Sequence, residues 1–239
     1  MIRCIIYDIG GTLLYPAPPI EDLAAFAERA GGFTLDHERL AASLPHIRHF
    51  FAEHDQPLGS LWASDHTLDA AWQAYYATAL RSAGLDEPWD HLLAVGAAIN
   101  GWYGHPDRWA VYDDVEATLA KARSLGYRQG VISDWESTLP ALLHGLGLEF
   151  HFDFVVTSAA VGYAKPSPEI FRAAVARAGL PPRECLYVGD TYLHDVIGAR
   201  VAGLSPVLVD RDGAAPPIDC PVVRSLDGIF ALLDGSPGA

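Results

Sequence analysis

From Trp109 onward, short runs of β-forming residues alternate with helical stretches, and a chain patterned this way has few folds open to it. Gln129-Gly130-Val131-Ile132-Ser133, Phe154-Val155-Val156-Thr157, Cys185-Leu186-Tyr187-Val188 and Pro206-Val207-Leu208-Val209 read as strands. Helical patterns fall at about 114–125, at about 137–145, from Ser167 onward, and in a stretch ending near Gly203. Ser167-Pro168-Glu169 is a helix start: serine suits the N-cap, proline the first helical position, and an acid the positive end of the dipole. Phe171, Ala174, Val175 and Ala178 then line one face of that helix. Residues 2–7 supply one more buried strand. Strands separated by helices predict a parallel sheet with helices on both faces.

The stretch from about 20 to 105 breaks this rhythm. Pro16, Pro18 and Pro19 interrupt regular structure, and beyond them the pattern is helical. Leu23, Phe26 and Ala27 share one face of a first helix; residues 37–54, 66–83 and 87–101 read as further helices. The expected organisation is a discontinuous α/β core, residues 1–15 and 106–239, carrying an inserted all-helical domain over 16–105. Trp62, Trp72, Tyr75 and Tyr76 read as the core of that helical domain.

Charge and cysteine content exclude several functions. A net charge of −14 opposes binding to nucleic acid or an anionic membrane. An anionic substrate would need locally placed positive groups, and the chain has two lysines, Lys121 and Lys165. Cys4, Cys185 and Cys220 have neither the parity nor the spacing of a disulfide framework or zinc site. No stretch reaches the ~20 apolar residues of a membrane span, and the first residues run directly into a strand rather than a cleavable signal. A reduced, cytoplasmic setting is the expectation.

Chemistry in a parallel sheet gathers just beyond the carboxyl ends of its strands. Asp8 follows the first strand, ahead of Gly10-Gly11-Thr12-Leu13. Ser133-Asp134 follow a second. Lys165 lies in Gly162-Tyr163-Ala164-Lys165-Pro166-Ser167-Pro168, and Gly189-Asp190 with Asp195 follow another strand. These stretches, in this order, resemble the four motifs of the haloacid dehalogenase (HAD) superfamily, in the group with a helical cap after the first motif. Asp8…Gly11-Thr12-Leu13 is similar to motif one, Ser133 to motif two, Lys165-Pro166-x-Pro168-Glu169-Ile170-Phe171 to motif three, and Gly189-Asp190-x4-Asp195 to motif four.

The resemblance implies a doubly wound, Rossmann-like α/β core with a cap that closes over the site. It implies Mg²⁺-dependent hydrolysis of a small phosphorylated or otherwise anionic substrate through an aspartyl-phosphate on Asp8. Asp8, Lys165 and Ser133 would be catalytic, with Ser133, Asp134 and Lys165 contacting substrate. Asp8, the Gly10 carbonyl, Asp190 and Asp195 would form the metal site. The state expected is monomer or homodimer.

Gly10 departs from the pattern. Most phosphatases of the superfamily carry there an aspartate that protonates the leaving group, help worth roughly 10²–10⁴ in rate. The Asp-x-x-Gly-Thr form resembles the rhythmically-expressed-gene branch. Two other functions follow from the same residues: a 2-haloacid dehalogenase using Asp8 on carbon, and a binding or regulatory protein with little turnover. Phosphonate cleavage would need a cap lysine, which residues 16–105 lack. His194 lies inside motif four but reads as an exposed loop histidine. His46, Arg48, His49 and His54 read as one wet helix face rather than a substrate or zinc site.

Overall fold

The computed structural model describes residues 1–44 and 61–234; His46, Arg48, His49 and His54 lie outside them. The apolar run Cys4–Tyr7 forms strand β1, and all four of its residues are fully buried. Its neighbours explain that burial. β1 pairs in parallel with β4 (Arg128–Ser133) on one side and β6 (Cys185–Gly189) on the other. A central strand covered on both faces is apolar throughout rather than alternating. The sheet continues through β5 (Phe154–Thr157), β7 (Ser205–Val209) and β8 (Val222–Val223), giving six parallel strands in the order β5-β4-β1-β6-β7-β8. The chain's first strand sits in mid-sheet, with its sequence successors on either side. That is the topological arrangement that opens a crevice at the strand ends.

Helices α5 (Val115–Ser124), α6 (Leu139–Gly145), α7 (Ser158–Val161), α8 (Pro168–Ala178), α9 (Gly198–Val201) and α10 (Ile229–Leu233) complete the core unit. Ile170, Phe171, Ala174 and Ala178 of α8 pack on Cys4, Ile6, Ile132 and Tyr187 of the sheet, with Val175 partly covered beside them. The start of α8 differs in one detail from the expected cap. Ser167 is the N-cap residue, but its hydroxyl bonds the Glu169 carboxylate rather than the helix backbone. Lys121 stacks over the Phe230 ring, which commits one of the two lysines to packing.

The second compact unit spans Pro16–Ala110, against Met1–Tyr15 with residues 111 onward for the first. It holds α1 (Ile20–Gly31), α2 (His37–Ser43), α3 (Asp65–Ser82) and α4 (Trp89–Tyr103). Asp36 and Ser64 cap α2 and α3, accepting from the backbone N–H of Arg39 and Thr67. Leu23, Ala27, Tyr75, Leu80, Leu92 and Ile99 form its core, with Phe26, Trp62 and Trp72 packed against it. Trp72 stacks on Tyr76 at 5.9 Å and meets Tyr75 edge-on, so these aromatics are interior packing. The chain crosses between units at β2 (Leu14–Pro16) and β3 (Trp109–Val111), which pair as a two-stranded sheet. Strands this short carry no readable periodicity, and the sequence pattern did not show them.

Candidate active site

Asp8 extends β1 by one residue, its N–H donating to the Val188 carbonyl at 2.9 Å. The chain then folds back on itself. Leu13 and Leu14 N–H both donate to the Ile9 carbonyl, and Gly11 N–H donates to Leu14 O. Gly11 sits at φ 75°, and a Cβ there would lie 2.5 Å from Asp190 Oδ2. Only glycine meets both demands: the turn needs left-handed backbone, and the Asp190 carboxylate lies directly over it. Gly10 is different. Nothing lies within 4 Å of where its Cβ would be, and its carbonyl takes no part in the turn's hydrogen bonds.

Lys165, 7 % exposed, gathers the strand ends together. Its Nζ donates to Asp8 Oδ1 at 2.8 Å and to Asp195 Oδ1 at 2.7 Å. Burial works against its charge, but Asp195 and Asp8 hold its pKa well above the ordinary value, so it is an ammonium. Asp195 is fully buried, with its lone pairs taken up. Oδ1 also accepts from Tyr187 Oη at 2.9 Å, and Oδ2 accepts from the Thr191 N–H and hydroxyl at 2.8 and 2.5 Å. Burial would raise its pKa, yet Lys165 and the Thr191 bonds hold it below the usual range. Asp8 goes the other way: burial pushes its pKa up, against the pull of Lys165.

This clustering depends on the segment after β6. Residues Tyr192–Ile197 form a π-helical turn, in which Val196 N–H reaches the Thr191 carbonyl five residues back. The widened turn carries Asp195 back onto Thr191 and under Lys165. Gly189 permits it, since a Cβ there would lie 2.4 Å from Asp195 Cγ. Extra-wide turns of this kind are frequent at functional sites.

Asp8, Asp190 and Asp195 each bring a carboxylate oxygen within 4.8 Å of the others. Lys165 pairs with two of these three acids, Asp8 and Asp195, and burial disfavours the Asp8 charge. A hard divalent cation fits both the oxygen donors and the excess negative charge. Ser133, buried at the end of β4, makes no side-chain hydrogen bond to a described residue. Asp134 is partly buried and is neither a solvated acid nor a helix cap: its Oδ1 accepts the Lys165 backbone N–H at 2.9 Å. His194 is exposed on the π-helical turn.

Three contributors escaped the sequence reading. Tyr187 hides in an apolar strand, and Thr191 sits unremarked between two motif acids. Arg211 follows β7. Its guanidinium forks onto Asp114 at 3.1 and 3.1 Å, donates to the Thr12 carbonyl at 2.6 Å and stacks over Tyr112. It clamps the turn after Asp8 from a position some two hundred residues away in sequence.

The family profile of haloacid dehalogenase-like hydrolases matches residues 2–203. The chain belongs to this family. It is 32 % identical over 221 residues to haloacid dehalogenase-like hydrolase domain-containing protein 3 of Homo sapiens, covering 91 % of this chain and 85 % of that protein. It is 31 % identical over 222 residues to the phosphoserine phosphatase of Thermus thermophilus, covering 88 % and 89 %. Among solved structures, the Bacillus subtilis HAD hydrolase YfnB bound to magnesium superposes with a TM-score of 0.72 at 17 % identity, covering 98 % of this chain and 99 % of that one. The L-2-haloacid dehalogenase of Xanthobacter autotrophicus gives 0.70 at 22 %, covering 99 % and 100 %. Both likenesses are of fold. This HAD-like hydrolase therefore shares its architecture with phosphatases and dehalogenases alike. Among the described residues no helix is long and apolar enough to cross a membrane.

Proposed function

We propose that this HAD-like hydrolase is a phosphatase that cleaves small phosphomonoesters through an aspartyl-phosphate on Asp8. The observation that carries the reading is the three-carboxylate cluster around the nucleophile, Asp8, Asp190 and Asp195 within 4.8 Å. Displacement of halide from carbon has no use for such a cation site, whereas attack by a carboxylate on a phosphoryl dianion must overcome like-charge repulsion. The phosphoserine phosphatase among its relatives adds support.

Asp8 and Asp190, with the Gly10 carbonyl, would hold Mg²⁺, which when bound screens the phosphoryl charge from the Asp8 carboxylate and favours its ionised form. Asp195, whose oxygens are engaged already, would lie adjacent to that cation, adding to its negative surroundings, and acts on Lys165. Asp8 Oδ2 attacks phosphorus while Lys165 fixes Oδ1 at 2.8 Å and so sets the direction of the attacking oxygen. Ser133 donates to a phosphoryl oxygen, and water then hydrolyses the aspartyl-phosphate.

The test is a panel of phosphomonoesters, phosphoserine included, and 2-haloacids, each with Mg²⁺ and with EDTA. Phosphate release that requires Mg²⁺ and is lost in Asp8→Asn is expected. Halide release in EDTA with no phosphate release would replace this reading with the dehalogenase. Mg²⁺ binding with neither product would replace it with a binding protein.

A further inference from the structure

Gly10 leaves the phosphatase without the usual motif-one acid, so a proton for the leaving alkoxide must come from elsewhere. We propose that Asp134 supplies it. This rests on the phosphatase reading of the same site.

Four acids follow β1, β4 and β6, the central strands of the sheet, and their contacts separate them. Asp195 has both oxygens engaged by Lys165, Tyr187 and Thr191. Asp190 lies over Gly11 within the three-carboxylate cluster. Asp8 is the nucleophile. Asp134 follows Ser133 at the end of β4, the strand paired directly with β1. It and Asp8 are bonded to opposite ends of the same residue: Asp134 Oδ1 takes the Lys165 backbone N–H, and Asp8 Oδ1 takes its Nζ. The first bond orients the Asp134 carboxyl and leaves Oδ2 with no partner among the described residues.

The surroundings suit a proton donor. Burial pushes the Asp134 pKa up to about 7. Lys165 pulls against that through its charge and its N–H, while Asp8 and Asp195 add to the rise. A carboxyl raised this far above its ordinary range can hold its proton toward neutral pH, which is where a general acid works best. In the first step a P–O bond forms to Asp8 as the ester P–O bond breaks, and the departing alkoxide takes the Oδ2 proton. In the second, the Asp134 carboxylate removes a proton from the water that attacks the aspartyl-phosphate, which restores Asp8 as carboxylate and Asp134 as acid.

Asp134→Asn keeps the acceptor for the Lys165 N–H and removes the proton. Turnover of p-nitrophenyl phosphate, whose leaving group needs no proton, and of an alkyl phosphate would be measured with Mg²⁺ from pH 5 to 9. The parent's kcat/KM for the alkyl ester is expected to fall as pH rises through the range in which Asp134 loses its raised-pKa proton. In Asp134→Asn the alkyl-to-aryl ratio of kcat/KM, which reports phosphoryl transfer to Asp8 before the hydrolysis step both esters share, is expected to drop at pH 6 by roughly 10²-fold or more, and that descending limb to vanish. An unchanged ratio with the limb intact would overturn the assignment. So would a parallel loss of kcat/KM on both esters, which would make Asp134 a support for Lys165 only. No phosphate from either ester in the parent would instead sink the phosphatase reading, a result separable from these by the missing aryl turnover.

Discussion

Lys165 is the residue on which the site's electrostatics turn, because it neutralises Asp8 and Asp195 in a buried setting. Lys165→Ala leaves Asp195 without its counter-charge, and breaking a buried pair from one side costs about 3–5 kcal/mol. The variant is expected to fold, to melt lower than the parent, and to lose nearly all turnover; parental kinetics would remove Lys165 from the mechanism. Asp134 adds a pH signature to stability. Its folded pKa, about 7, lies above the ordinary value of 3.8, so the folded state binds a proton that the unfolded chain has released. That contribution is complete below the unfolded pKa and is lost as pH rises through about 7. Thermal melts in EDTA should therefore show Asp134→Asn gaining on the parent between pH 5 and pH 8; parallel melting curves across that range would contradict the shift. Gly10 offers a complementary test. The space around it is open, so Gly10→Asp is expected to restore alkyl phosphate turnover in the Asp134→Asn background, as measured by phosphate release. The acids and the lysine were legible in the sequence because each sits at a strand end within a short motif. Tyr187 and Arg211 were not, because a buried tyrosine in an apolar strand and a lone arginine after another carry no local pattern. Their roles exist only once distant segments meet.

At the scale of elements, two turns do most of the positioning. The turn after β1 is stabilised from outside by the Arg211 fork onto Asp114 and the Thr12 carbonyl. Asp114 also accepts the Leu226 N–H at 2.6 Å, which ties a third segment to the same point. Arg211→Ala frees the Thr12 carbonyl and unpairs Asp114. A loss of about 1–3 kcal/mol in denaturant unfolding is expected, with a lower kcat as the Asp8 turn loosens. A variant with parental stability would show the clamp to be idle. The π-helical turn after β6 is the second device. Its effect is to return Asp195 to Thr191 and Lys165. The sequence showed a helix in this region, but the geometry of its first turn arises from Thr191 and Gly189 acting on Asp195 together.

At the scale of the molecule, two units carry two separate cores, and every residue of the site belongs to the unit that contains the sheet. Leu80 is fully buried in the helical unit. Leu80→Ala is expected to destabilise that unit by about 2–5 kcal/mol while Mg²⁺ affinity, measured by calorimetry, stays near the parental value. A large drop in affinity would show that the helical unit supports the cation site.

The alternation of strands and helices determined by itself that a parallel sheet would form, since β-branched runs too short to be stable alone must pair, and helical connections between them allow parallel pairing. The proline-bounded helical stretch likewise set the second unit apart, and the strand-end motifs placed the candidate acids and Lys165 along one sheet edge. Tertiary structure alone decided how the environments of these acids differ. Asp8, Asp134, Asp190 and Asp195 are the same residue type in sequence. Their differences come from burial and from which donors reach each oxygen, and those donors are brought in from segments up to 157 residues apart. A carboxylate's protonation state is set by the field of all its neighbours, so it becomes defined only when the chain has folded.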